Sequence, residues 1–554
     1  MKYSVDAVIV LSYVVVVFIV GFIYSRRYSK ESAADFLTGG HHLSWWQTGM
    51  TLIGMMFDPG IMGIAALGFV WGFYVIQWNG VNVWFTAWFA GMFFVGIYWR
   101  SKIVTTTEYL EKRFNVQTRA FFSLIMAFQL ILLLAYAVYF GSVLLQESLG
   151  WEKWLSVVLL SAAAGFYVIV GGMRTMLLMD IIQAILLLVA LFVVGIVGFL
   201  MLGGLPGIKE LAVAGKAGTP MNSLIPPLDF SLRSNVYFPL PAIPTFAVIA
   251  GLSWIICNFS MAQRLLAAKD ESHAQKALIM AGVFNVFILF LSYAAGVAMK
   301  QLMPDLVPDR AYMQLIVSKF PMGVKGLLIA GLLAALFSTI DGLIASSSSL
   351  LTMDIYKRFF KQDATDNHLK TVTRIIEVFV VLAVFAFAPM FIKYGRSAPV
   401  YQLVQEFLGI LLGVLIAIFI LGIFFKRTTA RACFISMVFG VVIGAVLQLG
   451  KFIGYGQEMG LISKDIKVFG GYTMNFAHIG TIQFLVVMIL GYVLSLMEKP
   501  KTEAELANLT IWTLPDVKGP WIGLKSWPAL WKWAIALPAT WLIICLVWEL
   551  YMRS

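Results

Sequence analysis

The chain has 554 residues, 60% of them hydrophobic and only 12% charged, with 40 Lys and Arg against 28 Asp and Glu for a net charge of +12. So apolar a composition excludes a soluble globular domain and is that of a polytopic membrane protein. The basic surplus lies in short loops between apolar runs, which suits membrane anchoring and topology and makes nucleic acid a poor partner.

About fourteen runs are apolar and long enough to cross a bilayer, at ~20 residues each. In order they are 5–25, 44–72, 73–99, 119–147, 153–171, 175–203, 240–263, 277–301, 322–355, 371–394, 400–425, 430–450, 474–497 and 531–551. The first is followed by Arg26, Arg27 and Lys30 and by no small-residue cleavage site, so it reads as a retained span. If the spans alternate, the clusters Arg26/Arg27/Lys30, Arg100/Lys102/Lys112/Arg113, Lys357/Arg358/Lys361 and Lys426/Arg427/Arg431 all share one side. The positive-inside rule then puts both termini outside. Segment 204–238, with Pro206, Pro220, Pro226 and Pro227, reads as a loop. Segment 303–321 has room for a short interfacial helix, and the tryptophans of 499–531 suit a membrane interface. Cys257, Cys433 and Cys545 each lie in an apolar run without metal or disulfide spacing. There is no nucleotide-binding phosphate loop, HExxH or GxSxG, which argues against ATP-driven transport and against an enzyme.

The polar residues inside apolar runs carry the chemistry. Run 44–72 holds Asp58, Pro59 and Gly60 at its centre. A carboxylate there costs roughly 2.5–3.5 kcal/mol, and proline removes a backbone donor. Two readings stand: a proline kink with a paired aspartate, or an interrupted helix of the kind that builds solute and cation sites. In run 322–355, Ala335, Ser338 and Thr339 sit at i, i+3 and i+4 and share a face. Two hydroxyls and a carbonyl make half a shell for a hard cation, or the hydroxyls bond back to their own helix. Run 175–203 opens with Asp180, read either as a cap near water or as a functional acid. Gln77, Asn79 and Asn82 suit hydroxyl-rich or zwitterionic solutes, or helix–helix hydrogen bonds. Glu406 is either near water or functional.

Several stretches together resemble the sodium:solute symporter family of sodium/sugar, sodium/proline and sodium/sialic acid carriers. They are Asp35–Gly40 leading into Trp45-Trp46, Thr107–Phe114, Gly171–Met173 with Asp180 and Gln183, Gln263–Asp270 and Thr352–Arg358, in family order. The resemblance implies an all-α protein of about fourteen transmembrane helices with a core of two inverted five-helix repeats, whose first and sixth core helices are discontinuous. The implied parts are an extra helix and loop (1–43), the first repeat (44–203), an extracellular loop (204–239), the second repeat (240–427) and three C-terminal helices (428–554). Gly251, Ser253, Asn258 and Ser260 would mark the second break, although no proline follows Pro244.

The resemblance also assigns residues. Sodium would bind the carbonyls of Gly54 and Phe57 with Ala335, Ser338 and Thr339. Some members hold a second cation at the aspartate matching Asp180, together with a serine where this chain has Ala335. The solute pocket would take Gly60, Asn79, Asn82, Gly251, Asn285 and Gln405, with Trp254 as an inner gate and Asp58 as an addition. Asn79 replaces an acidic residue, Asn285 a basic one and Gly251 an amide, so the solute is held differently from the family's galactose carrier. The expected function is sodium-coupled import of a small polar solute across the plasma membrane, sugar or sugar-like favoured. The alternatives are an amino acid, amine or organic acid as solute, and a membrane sensor built on the same fold.

Overall fold

The computed structural model describes residues 5–28, 42–56, 60–101, 103, 105–171, 173–211, 214–231, 236–396, 398–458, 462–464, 466, 474–513 and 531–554. These are helical, with no strand among the described residues beyond isolated bridges. In order the helices are α1 Val5–Tyr28, α2 Trp45–Met56, α3 Gly60–Trp71, α4 Ile76–Phe93, α5 Val95–Arg100, α6 Thr106–Arg113 and α7 Val116–Leu149. Then come α8 Lys153–Gly171, α9 Met173–Met201, α10 Gly204–Lys209, α11 Val248–Leu252, α12 Phe259–Leu266 and α13 Glu271–Leu302. The last are α14 Ala311–Lys319, α15 Val324–Leu350, α16 Asp366–Tyr394, α17 Val400–Phe424, α18 Ala430–Glu458, α19 Phe476–Leu496 and α20 Trp531–Arg553. Among the described residues nine helical stretches are long and apolar enough to span a membrane, or ten if α2 and α3 form one span. The runs expected at 5–25, 73–99, 153–171 and 531–551 are helical as well.

Local chemistry sets several boundaries. Asn115 caps α7 by accepting from Thr118 N at 2.8 Å, and Asp270 caps α13 by accepting from His273 N at 2.8 Å; each satisfies a backbone donor that the first turn leaves free. Asp6 of α1 accepts from Gly323 N and Gly326 N at 2.6 and 2.9 Å and so ties the first helix to the start of α15. The short helix expected in 303–321 is α14.

Two interruptions organise the interior. Helix α2 ends at Met56, α3 begins at Gly60, and their axes differ by 56°. Phe57, Asp58 and Pro59 lie outside the described residues. The second interruption follows a π-helical stretch, Ser253–Cys257. Asn258 is extended (φ −67°, ψ 112°), and its side chain accepts from Ser260 N at 3.0 Å to start α12. The break thus uses an asparagine cap where the first has a proline.

Helix α13 packs against α2, α3 and α4, α9 against α13 and α15, and α15 against α7. The approach of α13 to α3 is at backbone contact: a Cβ on Gly296 would fall 1.9 Å from Ala65 O, so only glycine fits.

Candidate functional site

The C-terminal half of α2 lies against α9 and α15. A Cβ on Gly54 would sit 3.5 Å from Asp180 O and 3.7 Å from Ser338 Oγ. Ser338 and Thr339 are buried, as is Ala335 one turn earlier. Neither hydroxyl bonds back to its own helix. Ser338 donates to Asp180 Oδ1, and Thr339 Oγ1 has no hydrogen-bond partner among the described residues. Further along the same helix Ser347 does bond back, to Leu343 O at 2.6 Å. The hydroxyls near the first break are therefore arranged differently from an ordinary apolar-helix serine. Phe57, the other expected carbonyl donor, lies outside the described residues.

Asp180 is not a cap near water. It is 1% exposed and pairs with Arg264 of α12, Nη2 to Oδ2 2.8 Å. Arg264 also donates from Nη1 to Ser260 O at 3.1 Å and Ser260 Oγ at 2.9 Å. The reading of Asp180 as a surface residue fails because Arg264, 84 residues away, is folded against it. A local pattern contains no trace of such a partner.

A cavity of about 100 Å³ lies between the two interruptions. One water needs only ~10–15 Å³ of such space. Gly60, Trp254, Asn285 and Gln405 all line it, so four of the expected solute residues meet there. Gly251 is buried beside Ala250, which lines the wall. Asn79 and Asn82 lie on α4 with side chains outside the description, and Asp58 is not described. Asn285 is 3% exposed, and its Oδ1 has no hydrogen-bond partner among the described residues. Among the described residues of this lining none is charged.

Tyr136 and Tyr401 complete the wall, their rings edge to face at 6.0 Å. Tyr401, Val404, Gln405, Leu408 and Leu412 form one stripe of α17 at i, i+3, i+4, i+7 and i+11. Periodicity from Gln405 would have found Tyr401; for Tyr136 the chain offers no such cue. Glu406 faces away. It pairs with Lys451 of α18, Nζ to Oε1 2.7 Å, and accepts from Tyr455. Gln77 holds helices together, donating to Leu224 O at 3.0 Å and accepting from Trp541 Nε1 at 3.1 Å.

Two interrupted helices enclosing a largely apolar cavity with a few amide and aromatic groups, within an apolar helical bundle, are the arrangement of a membrane transporter. The chain belongs to the sodium:solute symporter family, which matches residues 36–440. It is similar to mouse (Mus musculus) sodium/glucose cotransporter 4, at 27% identity covering 92% of this chain and 78% of that protein. It is also similar to the dog (Canis lupus familiaris) sodium/myo-inositol cotransporter, at 26% identity covering 92% and 75%. Its fold matches that of a substrate-bound, outward-open Na+-coupled sialic acid symporter with a TM-score of 0.72 at 21% identity, covering 91% of this chain and 100% of that one. The protein is therefore an integral membrane transporter, not an enzyme, and its activity is sodium-coupled symport of a small solute.

Proposed function

We propose that the protein imports a neutral, hydroxyl-rich solute, a sugar or cyclic polyol, with sodium bound between α2 and α15. The observation that carries this reading is Asn285 Oδ1, a buried acceptor without a partner among the described residues, in a largely apolar wall that also presents Gln405 and the rings of Tyr136, Tyr401 and Trp254. Burying an unsatisfied acceptor costs ~1–3 kcal/mol, and a solute hydroxyl would recover it. Aromatic walls such as Tyr136, Tyr401 and Trp254 offer faces to the C–H side of a sugar ring. The glucose and myo-inositol cotransporters among the relatives support the same class.

In this reading Gly54, Phe57, Ala335, Ser338 and Thr339 hold sodium. The solute contacts Asn79, Asn82, Gly251, Asn285 and Gln405, with Trp254 beneath it and Asp58 and Gly60 at the break. Sodium and solute each raise the other's affinity by the same factor. The architecture is fourteen spans with inverted repeats at 44–203 and 240–427, set in the plasma membrane with both termini outside.

The test is uptake into proteoliposomes under an inward sodium gradient, with labelled glucose, myo-inositol, sialic acid, proline and choline. Concentrative uptake of glucose or myo-inositol alone supports the reading. Uptake confined to proline, choline or the acid overturns the solute class, and sodium-independent uptake overturns the coupling site.

A further inference from the structure

Beside the Asp180–Arg264 pair lies a second buried acid that the sodium site does not use. Asp341 is 2% exposed and shares a face of α15 with Ser338, three residues earlier. Its Oδ1 has no hydrogen-bond partner among the described residues. Arg264 is close by: a Cβ on the adjoining Gly342 would sit 3.1 Å from Nη2. Arg264 Nε is also without a hydrogen-bond partner among the described residues. An unused donor and an unused acceptor therefore stand buried in one neighbourhood. The other groups facing Asp341 are Asp180 of α9 and Tyr13 of α1. The one guanidinium is ion-paired with Asp180 and not with Asp341, so the cluster is short of one positive charge when both acids are ionised. A buried charge without a partner is strongly unfavourable.

We propose that Asp341 is a second seat for the Arg264 guanidinium, filled when sodium arrives. The proposal rests on the reading that sodium binds between α2 and α15 next to Ser338. Sodium drawing on Asp180 and Ser338 replaces the guanidinium charge there. Arg264 then turns to Asp341, and Nε and Oδ1 gain partners. One entering cation leaves two acids matched by two positive charges. Arg264 acts in the empty protein as a tethered stand-in for sodium, and Asp341 sets how easily it gives way. Asp341 is thus a positioning residue that tunes sodium affinity without touching the solute.

The experiment needs no solute. Purified protein is melted in detergent while sodium is titrated at constant ionic strength with choline, and the half-saturating sodium for thermal stabilisation is read. Asp341→Asn is expected to raise that concentration about tenfold, while Asp341→Glu stays within about twofold of the parent. An Asp341→Asn curve that coincides with the parent overturns the proposal. So does a lower sodium-free melting temperature with unchanged half-saturation, which would mark a merely structural acid. Ser338→Ala is run in parallel. If it too leaves sodium stabilisation unchanged, the sodium site itself is misplaced; if it shifts while Asp341→Asn does not, only the relay fails.

Discussion

Among the described residues, two clusters in which a buried arginine meets a buried acid are built to opposite specifications. In one, Asp354, in the π-helical stretch Leu351–Phe360, accepts from Arg119 Nε at 2.9 Å and from Thr107 and Ser123. Arg119 and Arg358 both also engage Glu111. Burial alone would raise the Glu111 carboxyl, but the two guanidiniums hold it below its ordinary value. Two acids meet two arginines, and the knot joins α6, α7 and the end of the long α15 segment. In the other cluster Asp180, Asp341 and Arg264 leave Asp341 Oδ1, Arg264 Nε and Thr339 Oγ1 without hydrogen-bond partners among the described residues. A polar network completed by the chain itself is a fastener. One that lacks partners among the described residues leaves room for a water or an ion to complete it.

The comparison breaks most sharply at the fastener. Asp354→Ala leaves Arg119 with Glu111 as its one acid and Thr107 and Ser123 without their acceptor, and is expected to cost about 3 kcal/mol, seen as loss of folded protein and a lower melting temperature with or without sodium. Next are the hydroxyls. Thr339→Ala removes a hydroxyl with no hydrogen-bond partner among the described residues. It should leave sodium-free stability within ~0.5 kcal/mol while weakening sodium about tenfold. Ser338→Ala should weaken sodium similarly and also lower sodium-free stability by ~1 kcal/mol, because its bond to Asp180 goes too. Sodium titrations of the melting curve separate the two. On the solute side, Asn285→Leu is expected to raise the solute KM about tenfold or more, with little change in sodium activation at saturating solute. Glu406→Gln should do the reverse, lowering stability through the Lys451 pair while leaving the solute KM unchanged.

How much of this was legible depended on whether the cue was local. The first interruption could be expected from Asp58, Pro59 and Gly60, and the flanking helices α2 and α3 bear out a bend there. The second interruption rests on Asn258 capping its own downstream turn, a device no stronger in sequence than any other Asn-x-Ser. Ala335, Ser338 and Thr339 could be placed on one face from spacing. Their environment could not, because it depends on Asp180 and Gly54 arriving from other helices. Asp341 illustrates the limit best. On its own helix it is one polar residue among several, and only the fold puts Arg264 near it. Gln77 and Glu406 showed the converse: polar side chains in apolar runs that proved to be glue.

A third acid lies between these two extremes and gives the finest test. Asp309, in the turn before α14, is fully buried and accepts from Tyr139 Oη at 2.9 Å and from Val400 N at 3.2 Å. No ion pair reaches it among the described residues. Lys153 is the nearest cation named by its electrostatics, while Arg310 is paired with Glu147. Burial pushes its carboxyl up to about 7, although the Tyr139 and Val400 hydrogen bonds and Lys153 pull the other way. Because the folded value lies above the unfolded one, folding is favoured while the acid stays protonated, and that contribution is lost as pH rises through 7. Between pH 6 and 8 the loss is about 1 kcal/mol. Asp309→Asn, which keeps an acceptor for Tyr139 and Val400 but cannot ionise, should flatten the melting temperature over that range. Since Val400 opens the helix that carries Tyr401 and Gln405 into the cavity, the same variant should also remove any matching pH dependence of the solute KM. A parent protein whose stability rises from pH 6 to 8 would reverse the sign and place Asp309 with the fasteners.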